Sequence, residues 1–168
     1  MKHFTPELYE QFNSHGVDLA DAADVRWDLA QTRSKARLGQ IRQSLPPSVK
    51  VLANELCLHD AELVHLAADD AEAFIQARHR NALHILSYRL KDAARIGSPR
   101  RSAAFSDAAI RWIYDKVDLR KQGVFSYDIL LSNGQEIELV FDDVRIESFE
   151  VHPLGTSQKL DSTNRILE

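Results

Sequence analysis

The side chains best suited to chemistry fall into three groups. The first is Cys57-Leu58-His59-Asp60. Adjacent His and Asp side chains can give two ligands to a metal ion. A thiol two residues from an imidazole shares one face of an extended segment, where the imidazole could act as its base. A metal hydrolase built on such a pair needs further His and Asp ligands from several helices, and the upstream histidines are only His3 and His15. The plainer reading is a turn in which Asp60 caps or kinks the start of a strand while Leu58 packs inward. A lone cysteine is likewise more often a small buried hydrophobe than a nucleophile.

The second group is His65, His79 and His84. His65 and His84 fall on strands that could be neighbours, with His79 in a turn, and three imidazoles could bind zinc. No cysteine or carboxylate stands at a diagnostic spacing beside them. His84 shares a strand face with Leu86, Tyr88 and Leu90, which suits a hydrogen-bonded core histidine. His59, Asp60, His65 and His84 together make up the alternative, metal-dependent reading of the chain.

The third group is acidic: Asp128, Glu136, Glu138, Asp142 and Asp143. From Gly123 to Val151 there are seven acids and one base, a charge of −6 against −4 for the whole chain, so the remainder sums to +2. Such a segment can dock a basic partner, or it can be a solvated outer face that keeps a sheet soluble. A cation site would cluster its ligands in a loop of fixed spacing, and this segment has none. Arg78, Arg80, Arg100 and Arg101 could touch phosphates, yet the chain is acidic overall and carries no nucleic-acid motif, so nucleic acid is not the expected partner. Glycine-rich phosphate loops, nucleophile elbows and CxxC pairs are absent from the sequence, and no cofactor is expected.

The elements that would hold these groups change character near Cys57. Thr5-Pro6-Glu7 predicts a helix start, broken by Asn13-Ser14-His15-Gly16. A long helix should open at Asp18 or Asp21 and run to about Ser44. Its apolar stripe is Leu19, Ala23, Trp27, Ala30, Ser34, Leu38, Ile41 and Leu45. Pro46-Pro47 ends it, and a short helix should follow, ending near Asn54. Beyond Cys57 the alternation predicts strands at Glu62–Ala67, Ala71–Arg78, Ala82–Lys91, Ala109–Leu119, Val124–Leu131 and Gln135–Phe141, with a last short one near Arg145–Val151. Ala93–Ala104 reads as a loop.

Burial fixes the register of the last hairpin. A three-residue loop, Ser132-Asn133-Gly134, sets Ile129 opposite Ile137, Tyr127 opposite Leu139 and Phe125 opposite Phe141 on one face. The other face then sets Asp128 opposite Glu138, a like-charge pair that disfavours the pairing.

The 168 residues are 44% hydrophobic and 27% charged, ordinary globular values. One domain is expected over residues 1–152, helical over 1–55 and strand-rich over 56–152, with a loose polar tail at 153–168. The single cysteine and the start Met1-Lys2-His3-Phe4, which lacks an apolar run, lead us to expect a cytoplasmic protein with no membrane span. The expected fold class is α+β, with N-terminal helices packed on a mainly antiparallel meander.

Four strings occur in order: Met1-Lys2-His3-Phe4-Thr5-Pro6-Glu7-Leu8-Tyr9, Leu56-Cys57-Leu58-His59-Asp60-Ala61, Trp112-Ile113-Tyr114-Asp115-Lys116-Val117, and Ile129-Leu130-Leu131-Ser132-Asn133-Gly134 with Glu136-Ile137-Glu138-Leu139. This order resembles a group of uncharacterised bacterial proteins with a "MKYFTPELY"-like start, a central "LHDA" and a C-terminal "ILLSNG" hairpin. In its His-Asp strand and last hairpin it is also similar to small proteins proposed as immunity partners in bacterial toxin systems. The resemblance implies binding and blocking of a partner through an acidic face, and it carries over no catalytic residue. Lys116 departs from the group, which tends to have an acid there. The expectation is a non-enzymatic, immunity-like binding protein that docks a basic partner on Asp128, Glu136, Glu138, Asp142 and Asp143; its oligomeric state is left open.

Overall fold

The structure, a computed structural model, describes residues 4–100, 105 and 109–151. The expected tail at 153–168 and Arg101 lie outside the described residues. Helix α1 (Pro6–Phe12) starts where Thr5 accepts a hydrogen bond from the Leu8 N–H at 3.2 Å, with Pro6 in the first turn. Helix α2 (Val17–Ile41) is capped by Gly16 and tightens into a 3₁₀ turn at Arg42–Ser44. After Pro46, α3 (Pro47–Lys50) widens into a π turn at Val51–Glu55. The α2 stripe behaves as expected from Ala23 onward, whereas Leu19 is 57% exposed.

Six strands follow among the described residues: β1 (Glu62–Ala68), β2 (Glu72–His79), β3 (Ala82–Ile96), β4 (Trp112–Lys121), β5 (Val124–Leu131) and β6 (Glu136–Glu150). All pairs are antiparallel, in the order β1-β2-β3-β6-β5-β4. The fold class is thus α+β as expected, with a difference in topology. The sheet is not one meander but two three-stranded meanders joined along β3 and β6. The expected separate strand near Arg145–Val151 is the second half of β6, and Ala93–Ile96 extends β3 instead of opening a loop. Both were hidden because the β3–β6 ladder shifts register, at Arg89/Leu90 where β6 carries the extra residue Asp142, and at Leu90/Asp92 and Asp92/Arg95 where β3 carries the extra residue. Each such irregularity breaks the two-residue alternation that marks a strand.

The sheet curls until its edges touch. Asp60 N–H donates to Trp112 O at 2.9 Å, Trp112 N–H to Ala61 O at 2.8 Å, and Leu63 N–H to Ile110 O at 2.8 Å, around a bridge between Glu62 and Arg111. The result is a barrel closed at one point of its seam, which removes part of two exposed edges. Its interior is filled by Ile75, Leu86, Tyr88, Tyr127, Leu139 and Phe141, with Ile41, Leu45, Val49 and Leu52 packed against them from the α2–α3 segment. A second aromatic layer lies outside, where Phe4 and Trp27 pack on Tyr114 of β4.

The hairpin register is the one burial demands. Phe125, Tyr127 and Ile129 pair with Phe141, Leu139 and Ile137, and Asp128 lies opposite Glu138. Gly134 has φ +74°, and a Cβ there would lie 2.9 Å from the Arg100 Cβ and from the Phe105 ring, so glycine is required twice over.

Candidate functional site

The four residues of the metal reading do not meet. His59 and Asp60 form a turn, with ring and carboxylate 3.0 Å apart and both largely exposed. Asp60 takes φ +65° while Leu58 is buried at 2% exposure, as the turn reading expects. His65 packs edge-on to Phe74, and its pairing with Gln76 puts it on the outer face. His84 lies in the inner row beside Leu86 and Tyr88, and its Nδ1 is 2.8 Å from the Ser148 hydroxyl. Burial lowers its pKa. Among the described residues no three His, Cys, Asp or Glu side chains form a metal-sized cluster. The metal site of His59, Asp60, His65 and His84 is therefore corrected: the period-two alternation of β1 and β3 sends His65 and His84 to opposite faces of the sheet.

The acidic hairpin is where the sequence puts it, on the outer face, but it does not stand alone. Asp142 holds Arg89 at 2.6 Å and Lys91 at 2.7 Å, and these cations keep its carboxyl below the usual range. Glu138 pairs with Arg95 at 3.2 Å and also with Arg120. Asp128 is half-buried between Glu138 and Lys116, and burial raises its pKa. Asp143 is exposed opposite Arg89. Glu136 lies with Asp128, Glu138 and Arg95 around a small hollow. Bases from β3 and β4 thus interleave with acids from β5 and β6, and the surface is mixed rather than acidic. Linear charge counting missed this because the partner bases are up to 53 residues away in sequence.

A different carboxylate stands out. Asp115 of β4 pairs with Ile129, so it points to the inner face among Trp112, Val117 and Tyr127. Its Oδ2 accepts hydrogen bonds from the Tyr127 hydroxyl and from Trp112 Nε1, the latter at 3.1 Å. Both donors belong to side chains only 1% exposed. Burial raises the Asp115 pKa, and the two hydrogen bonds and His59 only partly offset it. Among the described residues no Lys or Arg pairs with it, and Oδ1 has no hydrogen-bond partner there. Oδ1 is not a sealed buried atom either.

Asp115 lines a cleft of about 490 Å³ at the barrel seam, where β4 parts from β1. Gln31 and Lys35 of α2 form one wall, and Asn54, Glu55, Cys57 and His59 form another. A second hollow of about 170 Å³, between α2, the π turn and β4, shares Lys35, Tyr114 and Asp115 with it. Cys57 is exposed, not the small buried hydrophobe of the plainer reading, and it lines the cleft together with Leu58 and His59. Sequence reading passed over Asp115, although its alternation with Val117 and Leu119 puts a carboxylate in an apolar row.

No protein-family model matches the chain, and no curated protein matches it either.

Proposed function

We propose that the chain is a non-enzymatic binding protein that seats a donor-bearing side chain of a basic partner in the cleft over Asp115. One observation carries the reading: among the described residues no Lys or Arg pairs with the half-buried Asp115, and its Oδ1 has no hydrogen-bond partner there beside the cleft. A buried carboxylate gains most from a charge-assisted hydrogen bond, since the incoming cation relieves the cost of its desolvation. Glu55 on the cleft wall adds a second acceptor, and Tyr114 an aromatic surface. An immunity-like role is the form of binding that the sequence resemblance implies. The outer face of Asp128, Glu136, Glu138, Asp142 and Asp143 serves a basic partner less well, because Glu138 and Asp142 already hold two cations each.

The test is a heteronuclear NMR titration with acetyl-arginine methylamide, using the citrulline analogue as the neutral control. Saturable shifts of the Trp112 indole N–H and of the 113–115 amides are expected, reduced at least tenfold in affinity by Asp115→Asn. Shifts confined to the outer face of β5 and β6, or equal shifts with citrulline, would move the site or remove it.

A further inference from the structure

The side of α2 turned away from the body carries an unused pattern. At about 100° per residue, the buried stripe of Ala23, Trp27, Ala30, Ser34 and Leu38 lies roughly opposite a second row: Ala22, Val25, Leu29, Thr32, Ala36 and Gly39. All six are exposed, Val25 at 68% and Leu29 at 46%. Their steps of three and four make a heptad seam, with Ala22, Leu29 and Ala36 at one core position and Val25, Thr32 and Gly39 at the other. Leucine and valine standing at seam positions on an exposed helix face need an explanation that the fold itself does not supply.

The flanking charges say what the seam fits. Arg26 and Arg33 follow the second core position, and Asp21 and Asp28 precede the first. None of these four has an opposite charge three or four residues away on its own helix, where intrahelical pairs form. Each acid does have an arginine five residues further on: Asp21 with Arg26, and Asp28 with Arg33. Five residues is the spacing at which flanking positions of two parallel helices face each other across a coiled-coil seam. The ion pairs of the described residues use none of Asp21, Asp28 and Arg33. Among the described residues Arg26 reaches only the uncharged Gln11 side chain and the Ala22 carbonyl. In an antiparallel pair the arginines of one helix would face those of the other, and Asp28 would face Asp28 of the second copy. The pattern therefore selects one direction.

We infer that α2 is a self-association surface, on which a second copy of this chain packs its own α2 in parallel about a two-fold axis. Asp21 and Asp28 of each copy then pair with Arg26 and Arg33 of the other. The barrels point away from the axis on opposite sides, because the seam is turned away from the stripe that holds the body. The small residues Ala22, Ala36 and Gly39 let the helices approach closely, and Val25 and Leu29 supply the apolar area. Such a seam is short and holds a reversible dimer, one that shifts with concentration.

Sedimentation equilibrium from micromolar to millimolar concentration should show a monomer–dimer equilibrium. The double variant Arg26→Asp/Arg33→Asp should weaken association at least tenfold, and so should Asp21→Arg/Asp28→Arg. Mixing the two should restore a heterodimer. Direction is read separately: in a Cys57→Ser background, Thr32→Cys should form a disulfide between copies under mild oxidation. All variants are on the exposed face, and circular dichroism confirms that each is folded. A wild type that stays monomeric throughout, variants that associate as the wild type does, or a mixture that fails to pair would each overturn the inference. Crosslinking that joins Thr32→Cys to Val25→Cys instead of to itself would overturn the parallel direction.

Discussion

Two sets of carboxylates occupy the same half of the barrel and obey opposite rules. On the outer face of β5 and β6, Glu138 and Asp142 are each clasped by two bases, from β3 and, for Glu138, also from β4. On the inner face of β4, Asp115 is held by two neutral donors and by no base among the described residues. The outer acids have their charge compensated, and Asp142 is easier to ionise than usual. Asp115 is harder to ionise, because its charge has been moved out of water without replacement. Density of charge along a sequence marks a solvated face. A single acid in an apolar row marks a place where charge costs something and a ligand can repay it.

The sharpest way to break the comparison is to remove Asp115. Asp115→Ala orphans the Tyr127 hydroxyl and the Trp112 indole N–H, both buried. Each unsatisfied buried donor costs about 1–3 kcal/mol, so the variant should lose roughly 2–5 kcal/mol of unfolding free energy in urea. Asp115→Asn keeps an acceptor oxygen and should lose about 1 kcal/mol. Equal losses would mean that packing, not the acceptor, is what matters at this position.

The second effect is one of sign. The Asp115 carboxyl is raised above the ordinary 3.8, so the folded protein binds its proton more tightly than the unfolded chain does. Its contribution to stability is complete below 3.8 and is lost as pH rises through the raised folded value. For Asp142 the folded value is depressed by Arg89 and Lys91. Its contribution is complete above 3.8 and is lost as pH falls through that depressed value. Urea midpoints measured against pH should therefore lose their upper limb in Asp115→Asn and part of their lower limb in Asp142→Asn. A single limb abolished by both variants would show that the two sets are not independent.

The contrast also explains what was legible in the sequence. The hairpin register could be read because Phe125, Tyr127 and Ile129 leave one solution that buries apolar side chains, and the same logic found the α2 stripe from Ala23 to Leu45. The extra length of β3 and β6 could not be read, since bulges around Asp92 on β3 and at Asp142 on β6 erase the alternation. The pairing of β3 with β6 joins residues as far apart as Ala82 and Glu150, beyond any local signal. For the same reason the acids of the last hairpin look unpaired in the sequence: three of their bases, Arg89, Lys91 and Arg95, arrive on β3. Asp115 had a local signal, its alternation with Val117 and Leu119, but the bulge at Ile113 conceals that Trp112 joins that row.

A smaller effect is expected from the outer set. Asp142→Asn frees two cations that are largely open to solvent, and screened pairs of this kind are worth under about 1 kcal/mol. The loss should shrink further in molar salt, where the Asp115→Ala loss should hold.

The smallest expected change tests how far the inner network reaches. Tyr88 is 2% exposed, its ring lies 5.9 Å from that of Tyr127, and its hydroxyl is buried without a hydrogen-bond partner. Burial and the nearby Asp115 raise its pKa, so it stays neutral. An unpaired buried hydroxyl has already lost its hydration, and removing it recovers that cost. Tyr88→Phe should therefore leave stability unchanged or raise it by up to about 1 kcal/mol, whereas Tyr127→Phe, which takes a donor from Asp115, should lower it by about 1–2 kcal/mol. The two tyrosines neighbour each other in one core and differ in whether the hydroxyl meets the carboxylate. If Tyr88→Phe cost as much as Tyr127→Phe, the Asp115 network would extend across the barrel to β3, and the inner set would be a relay of hydroxyls instead of one carboxylate with two donors.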